Sequence, residues 1–281
     1  MIASDLFFFG SGHGGTAALQ SIQRRFGSIE IFSESDETLN VARPSDKIIA
    51  NIEEVRAEKG VMAGFQGILS EQFLNRHKVL NVHYSLLPRY RGLHAVVWAI
   101  LNLERKIGLT VHEANVRMDD GPIVYQHGVE YEGQTSWQLM ELFDEHIRQG
   151  LGSVVEKWIS GAMSAVPQDP SRATWVPRRN LEDCLVDYTW PVCRLRALFK
   201  ALVRPYPLPT IIVRGRRYEI ADARLMDAEY FCGVGRVVNI DGHCGWIKCA
   251  DCLLVVSRLI DDRGIVLLGS QVLRLGMRLG S

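Results

Sequence analysis

Apolar runs in the first third of the chain alternate with stretches of helical period. DLFFFG (5–10) is predicted as a buried strand and TAALQSIQRRF (16–26) as a helix. SIEIFS (28–33) is predicted as a second strand, the Ile52–Lys59 region as another helix, and GVMAGFQGIL (60–69) as a third strand running into a loop. Such alternation points to an α/β fold with a mostly parallel sheet covered by helices. A denser block follows, with KVLNVHYS (78–85) as a strand, SLLPRYRG (85–92) as a turn and LHAVVWAILNLERK (93–106) as an amphipathic helix. LTVHEANV (109–116) and PIVYQHGVEY (122–131) are strands on either side of the turn RMDDG, and Thr135 or Ser136 can cap the helix that continues to Gly161.

After Gly161 the pattern is lost. AMSAVPQDPSRATWVPRR (162–179) has three prolines and no period, as suits a linker or a strap lying across a domain. One helix, about Pro191 to Val203, is stopped by RPYPLP. The short strands TIIVRG, RYEIADARL, GVGRVVNI, CGWIKC and LLVVSRLI then predict a small β-barrel or sandwich. The expected division is residues 1–178, with the linker from about 162, and residues 179–281.

Charge changes this picture little. The 32 basic and 32 acidic residues cancel, so no global field points to nucleic acid or a membrane surface. Residues 179–281 hold 15 Lys/Arg and 11 Asp/Glu, a surplus of only +4. No run reaches the roughly 18 apolar residues of a membrane helix, and Leu6–Phe9 lacks the basic start of a signal peptide. A cytoplasmic protein is expected, with the six cysteines, all in the C-terminal part, as thiols.

The chemistry concentrates in NVHYSLLPRYRG. Alternation along a strand places Asn81, His83 and Ser85 on one side. A side-chain amide can stabilise an oxyanion and an imidazole can exchange a proton with an amine, a pairing suited to acyl transfer. A lone strand histidine is nonetheless more often structural. In RMDDGPIV, an Asp can form the turn or orient His83, and spacing does not choose between these roles.

The ordered combination is more specific. Asn81-x-His83-x-Ser85-Leu86-Leu87-Pro88, then Arg91-Gly92, and about thirty residues later Asp119-Asp120-Gly121-Pro122, resembles the folate-dependent formyltransferases. The resemblance is strong over about 60–150 and weaker from 181, where VDYTWP and RPYP look like the C-terminal domain of methionyl-tRNA formyltransferases. It implies a Rossmann-like N-terminal domain, a smaller β-barrel-like C-terminal domain, 10-formyltetrahydrofolate as co-substrate and no metal. Asn81, His83 and Asp119 match the family's catalytic residues, Asp119 rather than Asp120 because it stands two before Gly121. Phe65, Gln66, Gly67, Ile68, Leu87 and Gly121 would lie beside the folate, whereas the bland reading of 60–69 is a core strand.

Other motifs compete. Gly10-x-Gly12-x-x-Gly15 follows a strand and precedes a helix, and Glu34 lies 19 residues beyond Gly15. That is dinucleotide-binding spacing, so an NAD-dependent dehydrogenase is an alternative, although no hydride-transfer site accompanies it. Within the formyltransferase reading, Gly10, Ser11, Gly12, His13 and Gly14 form a backbone-rich rim near substrate phosphates, with Arg89 and Arg91 as further substrate contacts. His243, Cys244, Cys249 and Cys252 suggest a metal, but one CxxC among alternating strand residues favours core thiols. Arg196, Lys200 and Arg204 recur every four residues and could be a solvated face or a phosphate contact.

YRGLHAVVWAI resembles a run common in sugar-nucleotide N-formyltransferases, with Ala95 where those commonly have proline. The expected acceptor is therefore a nucleotide-linked amino-deoxysugar of the kind used for lipopolysaccharide O-antigen, and a homodimer is compatible with this. Methionyl-tRNA formyltransferase is the alternative, but a tRNA enzyme should show a basic footprint, and Glu34–Ile52 leaves little room for an acceptor-stem insertion. A formyltetrahydrofolate hydrolase is expected to carry a regulatory domain ahead of the catalytic one, whereas the first strand here starts within a few residues of Met1.

Overall fold

The computed structural model describes residues 6–280, so Asp5 of the first predicted strand lies outside it. Contacts divide the chain into two units, Met1–Val96 with Arg105–Glu132 and Gln138–Pro177, and Val97–Glu104 with Gly133–Trp137 and Arg178–Ser281.

In chain order the first elements are β1 Leu6–Gly10, α1 Gly12–Gln23, β2 Ile29–Phe32, α2 Asp36–Leu39, β3 Lys47–Ile48, β4 Lys59–Ala63, α3 Glu71–Leu74 and β5 Lys78–His83. They are followed by β6 Arg91–Gly92, α4 Ala95–Leu101, β7 Lys106–Glu113, β8 Ile123–Glu130, α5 Ser136–Ile159 and β9 Trp175–Val176. Seven strands form one sheet in the order β3-β2-β1-β4-β5-β7-β8. The first five are parallel, and β7 and β8 are antiparallel additions. The chain leaves β1 toward β2 and β3 and returns on the other side as β4, so the strand order reverses between β1 and β4.

β1 is buried along its whole length, which is why LFFFG is a continuous apolar run rather than an alternating one. Phe7 and Phe9 join Phe73, Val79, Ile49 and Val55 in one cluster, with Phe7 edge-on to Phe73 at 5.8 Å between centroids. Residues Gly15–Leu19, Ser21 and Ile22 of α1 are buried.

The Ile52–Lys59 helix expectation is corrected. Only Ile52–Glu54 turns, as a 3₁₀ segment capped by the Asn51 side chain, and β4 begins at Lys59. The buried Glu30 carboxylate accepts from the Arg56 and Ala57 amides at 2.7 and 3.1 Å, which holds the segment out of a helix. The predicted helix over 93–106 also shortens to Ala95–Leu101.

The second unit contains α6 Val192–Ala201, β10 Thr210–Val213, β11 Arg216–Asp227, β12 Val237–Asp241, β13 Cys244–Lys248, β14 Cys252–Ile260, β15 Val266–Leu268 and α7 Gly269–Val272. Its antiparallel sheet runs β10-β11-β14-β13-β12, with β15 also paired to β14. Cys249 and Cys252 flank a two-residue turn and are both fully buried. A hydrogen bond with Cys252 and burial push the Cys249 thiol up. All six cysteines are free thiols, and no group of three metal-ligating side chains occurs among the described residues. The basic stripe is matched by acids, with Arg196 on Asp227 and Arg204 on Glu219. No helix among the described residues is long and apolar enough to cross a membrane.

Replacing Glu30 by Ala removes the acceptor for two backbone amides beside the aromatic cluster. The expected destabilisation is about 3 kcal/mol, measured as a lower urea midpoint at unchanged slope.

Candidate active site

β5 ends at His83, and the chain there turns into the loop 84–90 that leads to β6. The register of β5 on β7 sets Asn81 opposite His112 and His83 opposite Thr110. The β7–β8 connection brings Asp119 back over the same strand end. Asp119 sits at φ 53°, in the left-handed region that short polar side chains tolerate best among non-glycine residues. Gly121 is required two residues on, because a Cβ there would lie 1.7 Å from the Glu113 carbonyl oxygen.

The three side chains singled out from sequence meet at this point. Asn81 Nδ2 donates to Asp119 Oδ1 at 3.2 Å and reaches His112 Nε2 at 3.1 Å. His112 Nδ1 donates to the Glu113 carbonyl at 2.9 Å, and its Nε2 lies 3.5 Å from Asp119 Oδ1. Asp119 Oδ2 accepts from the Gly92 amide at 2.8 Å and faces His83 Nδ1 at 3.6 Å. His83 Nε2 donates to the Tyr90 carbonyl at 2.8 Å, so a neutral His83 turns its Nδ1 lone pair toward Asp119.

Both charges are set by this packing. Burial pushes the His83 imidazole below its ordinary value, only partly offset by Asp119 and by the Tyr90 carbonyl. Burial alone would push the Asp119 carboxyl up, but the contacts with His112, His83 and the Gly92 amide outweigh it and leave the carboxyl below its usual range. The pair is therefore an ionised carboxylate facing a neutral imidazole that can take one proton at Nδ1.

Residues 162–177 run as a strap over this strand end. β9 pairs in parallel with β6, and Val166 bridges to Ile123. Gln168 Nε2 donates to the carbonyls of Asp119 and Gly121 at 2.9 and 2.7 Å, while its Oε1 accepts from Arg91 at 2.7 Å. Thr174 Oγ1 accepts from the Tyr90 amide at 2.8 Å. Sequence reasoning missed His112, Gln168 and Thr174. Cross-strand pairing with Asn81 reveals the first, and nothing in the Pro-rich strap marks the other two.

Arg91 requires a correction. Its side chain is 5% exposed and is held by Asp120 at 2.6 Å and by Gln168, with the Trp175 ring 5.6 Å away. It clamps the two loops together and is not presented to a substrate. Leu87 likewise turns inward, its amide donating to Thr110 and its carbonyl accepting from Gln126. Arg89 is exposed above the Tyr90 ring, and the Ser85 hydroxyl donates to the Arg89 carbonyl.

The glycine motif is a tight strand-to-helix turn, with Ser11 alone between the end of β1 and the start of α1 at Gly12. Gly14 lies against the Tyr84 hydroxyl, where a Cβ would come within 2.8 Å. His13 pairs with Asp144, which also accepts from Tyr84. The Asp144 hydrogen bond raises the His13 imidazole against the opposing effect of burial, with Glu37 and Glu141 adding to the rise. Gly10, Ser11 and Gly12 share an open cleft of about 830 Å³ with Phe65, Gln66, Gly67, Phe32, Glu34 and Asn51. Ile68 stands outside that cleft with 76% of its surface exposed.

Comparison with known proteins places this arrangement. A methionyl-tRNA formyltransferase from Roseiflexus sp. (strain RS-1) is 32% identical over 182 residues, which are 63% of this chain and 55% of that protein. The crystal structure of HypX from Aquifex aeolicus in complex with tetrahydrofolic acid superposes with a TM-score of 0.69 at 16% identity, covering 96% of this chain and 46% of that one. This chain thus spans about half the length of these two relatives. The N-formyltransferase from Helicobacter canadensis, in complex with folinic acid and dTDP-3-aminofucose, gives a TM-score of 0.69 at 16% identity, covering 90% of this chain and 98% of that one. The formyl transferase family model matches residues 14–155, and the formyl transferase C-terminal domain model matches residues 179–274. The chain carrying Asn81, His83 and Asp119 at one strand end belongs to the formyltransferase family.

Proposed function

We propose that the protein is an N-formyltransferase that moves the formyl group of 10-formyltetrahydrofolate to the amine of a nucleotide-linked amino sugar. The observation that carries this reading is a buried, neutral His83 with Nδ1 facing an ionised Asp119, beside the Asn81 amide.

Bound folate supplies an activated formyl group and a stable amine leaving group. Of Phe65 to Ile68, Ile68 is the residue offered to a flat ring, since an aliphatic side chain so exposed gains by being covered, while Phe65 to Gly67 line the neighbouring cleft. Leu87 and Gly121 contribute to that side only as the packed backbone behind it. During attack, an Asn81 N–H turns from its protein acceptor to the oxyanion. His83 Nδ1 takes the proton released by the amine, Asp119 stabilises the resulting imidazolium, and Nδ1 then holds the proton that the departing folate nitrogen needs to leave as an amine.

Methionyl-tRNA is the second acceptor reading, favoured by the Roseiflexus relative. The neutral net charge and the acid partners of Arg196 and Arg204 weigh against it. A cytoplasmic site of action and a role in O-antigen biosynthesis follow from the sugar reading.

Incubation with 10-formyltetrahydrofolate should formylate one of a panel of nucleotide-linked aminosugars and leave Met-tRNA unchanged. Formylation of the tRNA with no turnover of any sugar would overturn the acceptor. His83→Ala and Asp119→Ala should each lose on the order of 100-fold or more in kcat while remaining folded by circular dichroism. Substantial residual turnover would sink the catalytic roles.

Gln168→Ala releases the Asp119 and Gly121 carbonyls and should lower kcat by about 10-fold with KM for the acceptor little changed. Gln168→Glu keeps the acceptor for Arg91 but not the two donated bonds, and should show the same loss.

Because the His83 imidazole lies below 6.5, the unfolded chain binds the proton first as pH falls. The wild type should keep its full share of stability above 6.5 and lose it as pH falls through the folded value. Melting curves of His83→Asn should show a shallower loss over that window.

A further inference from the structure

The glycine motif and Glu34 have no part in the chemistry at the end of β5, yet they share the cleft with the loop that follows β4. In open α/β sheets, ligands bind outside the carboxyl ends of strands where the strand order reverses. Here the order reverses between β1 and β4. Gly10 to Gly12 follow β1, and Phe65 to Gly67 follow β4. The Ser11 hydroxyl donates to the Gly64 carbonyl at 2.8 Å and ties the two loops into one rim. Gly12, at φ +66°, has open space where a Cβ would stand, so its backbone can be closely approached. Asn81, His83 and Asp119 are not among the lining residues.

We propose that this cleft is a nucleoside site in which the Glu34 carboxylate takes the 2′- and 3′-hydroxyls of a ribose. Glu34 lies two residues past Phe32, the end of β2, and is exposed. Among the described residues lining the cleft it is the one charged group, with no Lys, Arg or His beside it. An uncompensated carboxylate favours a hydroxyl-bearing ligand and offers nothing to a phosphate. Phe32, Ile52 and Phe65 give the lining an apolar wall, with the two phenyl rings 6.2 Å apart and nearly perpendicular. That wall suits a base, and about 830 Å³ accommodates a nucleoside. The site rests on the formyl-transfer reading only in taking the nucleoside to be that of the acceptor. On that basis the acceptor carries a ribonucleoside rather than a deoxyribonucleoside. The folate is left to the outer edge of the same loop, at Ile68.

Calorimetric titration of the whole protein with adenosine and uridine, and with their 2′-deoxy counterparts, tests this directly. At least one ribonucleoside should bind saturably, with its 2′-deoxy form weaker by about 10-fold or more. Glu34→Ala should weaken the ribonucleoside most, weaken the 2′-deoxy form less because it keeps the 3′-hydroxyl, and bring the two to equal affinity. Binding should persist at saturating tetrahydrofolate. No saturable binding of either ribonucleoside, equal affinity for ribo and deoxy forms, or displacement by tetrahydrofolate would overturn the site. Ribonucleoside binding in the expected pattern by a protein that formylates no amine would uphold the cleft and sink the formyl-transfer reading instead.

Discussion

The carboxylate of Asp119 has 8% of its side-chain surface exposed, and a charge so poorly hydrated must be surrounded by donors or give up its ionised form. The backbone around the end of β5 answers that requirement. One oxygen takes the Asn81 amide and the other takes the Gly92 amide. The left-handed backbone at Asp119 and the close approach of Gly121 to the Glu113 carbonyl deliver the carboxylate to the end of β5. His83 is deprived of water by the same packing, and this makes it a neutral acceptor rather than a cation paired permanently with Asp119.

The strap over 162–177 is the structural counterpart of that buried charge. A turn with strained backbone stays in place only if its surroundings over-determine it. Gln168 grips two carbonyls of the Asp119 turn and the Arg91 guanidinium, and Arg91 in turn reaches Asp120. Three segments far apart in sequence are thereby bound into one unit. An arginine that could have met a substrate phosphate is instead consumed by this clamp.

The two ends of the site obey different logic. Asn81, His83 and Asp119 meet past β5, where antiparallel β7 supplies His112 and the β7–β8 connection supplies Asp119. The open cleft sits at the reversal of strand order, a consequence of parallel topology alone. On the proposed reading, this separation lets acceptors vary around one reacting centre.

Local patterning was sufficient wherever neighbouring residues decide the outcome. The unbroken apolar run at Leu6–Phe9 determined a strand buried on both faces, and the alternation in KVLNVHYS determined that Asn81 and His83 share a side. The ordered Asn–His–Asp motif singled out three side chains that meet at the end of β5 before any contact was visible. Residues 52–59 read as helical because their period is, but the distant Glu30 carboxylate competes for their amides and wins. His112 became part of the site through the strand register, and Gln168 and Thr174 through the path of the strap. Arg91 left the substrate side for the same reason, since its partners lie 29 and 77 residues away. Composition and spacing report which groups a segment offers. Which of them face one another depends on how distant segments pack, and only the tertiary structure settles that.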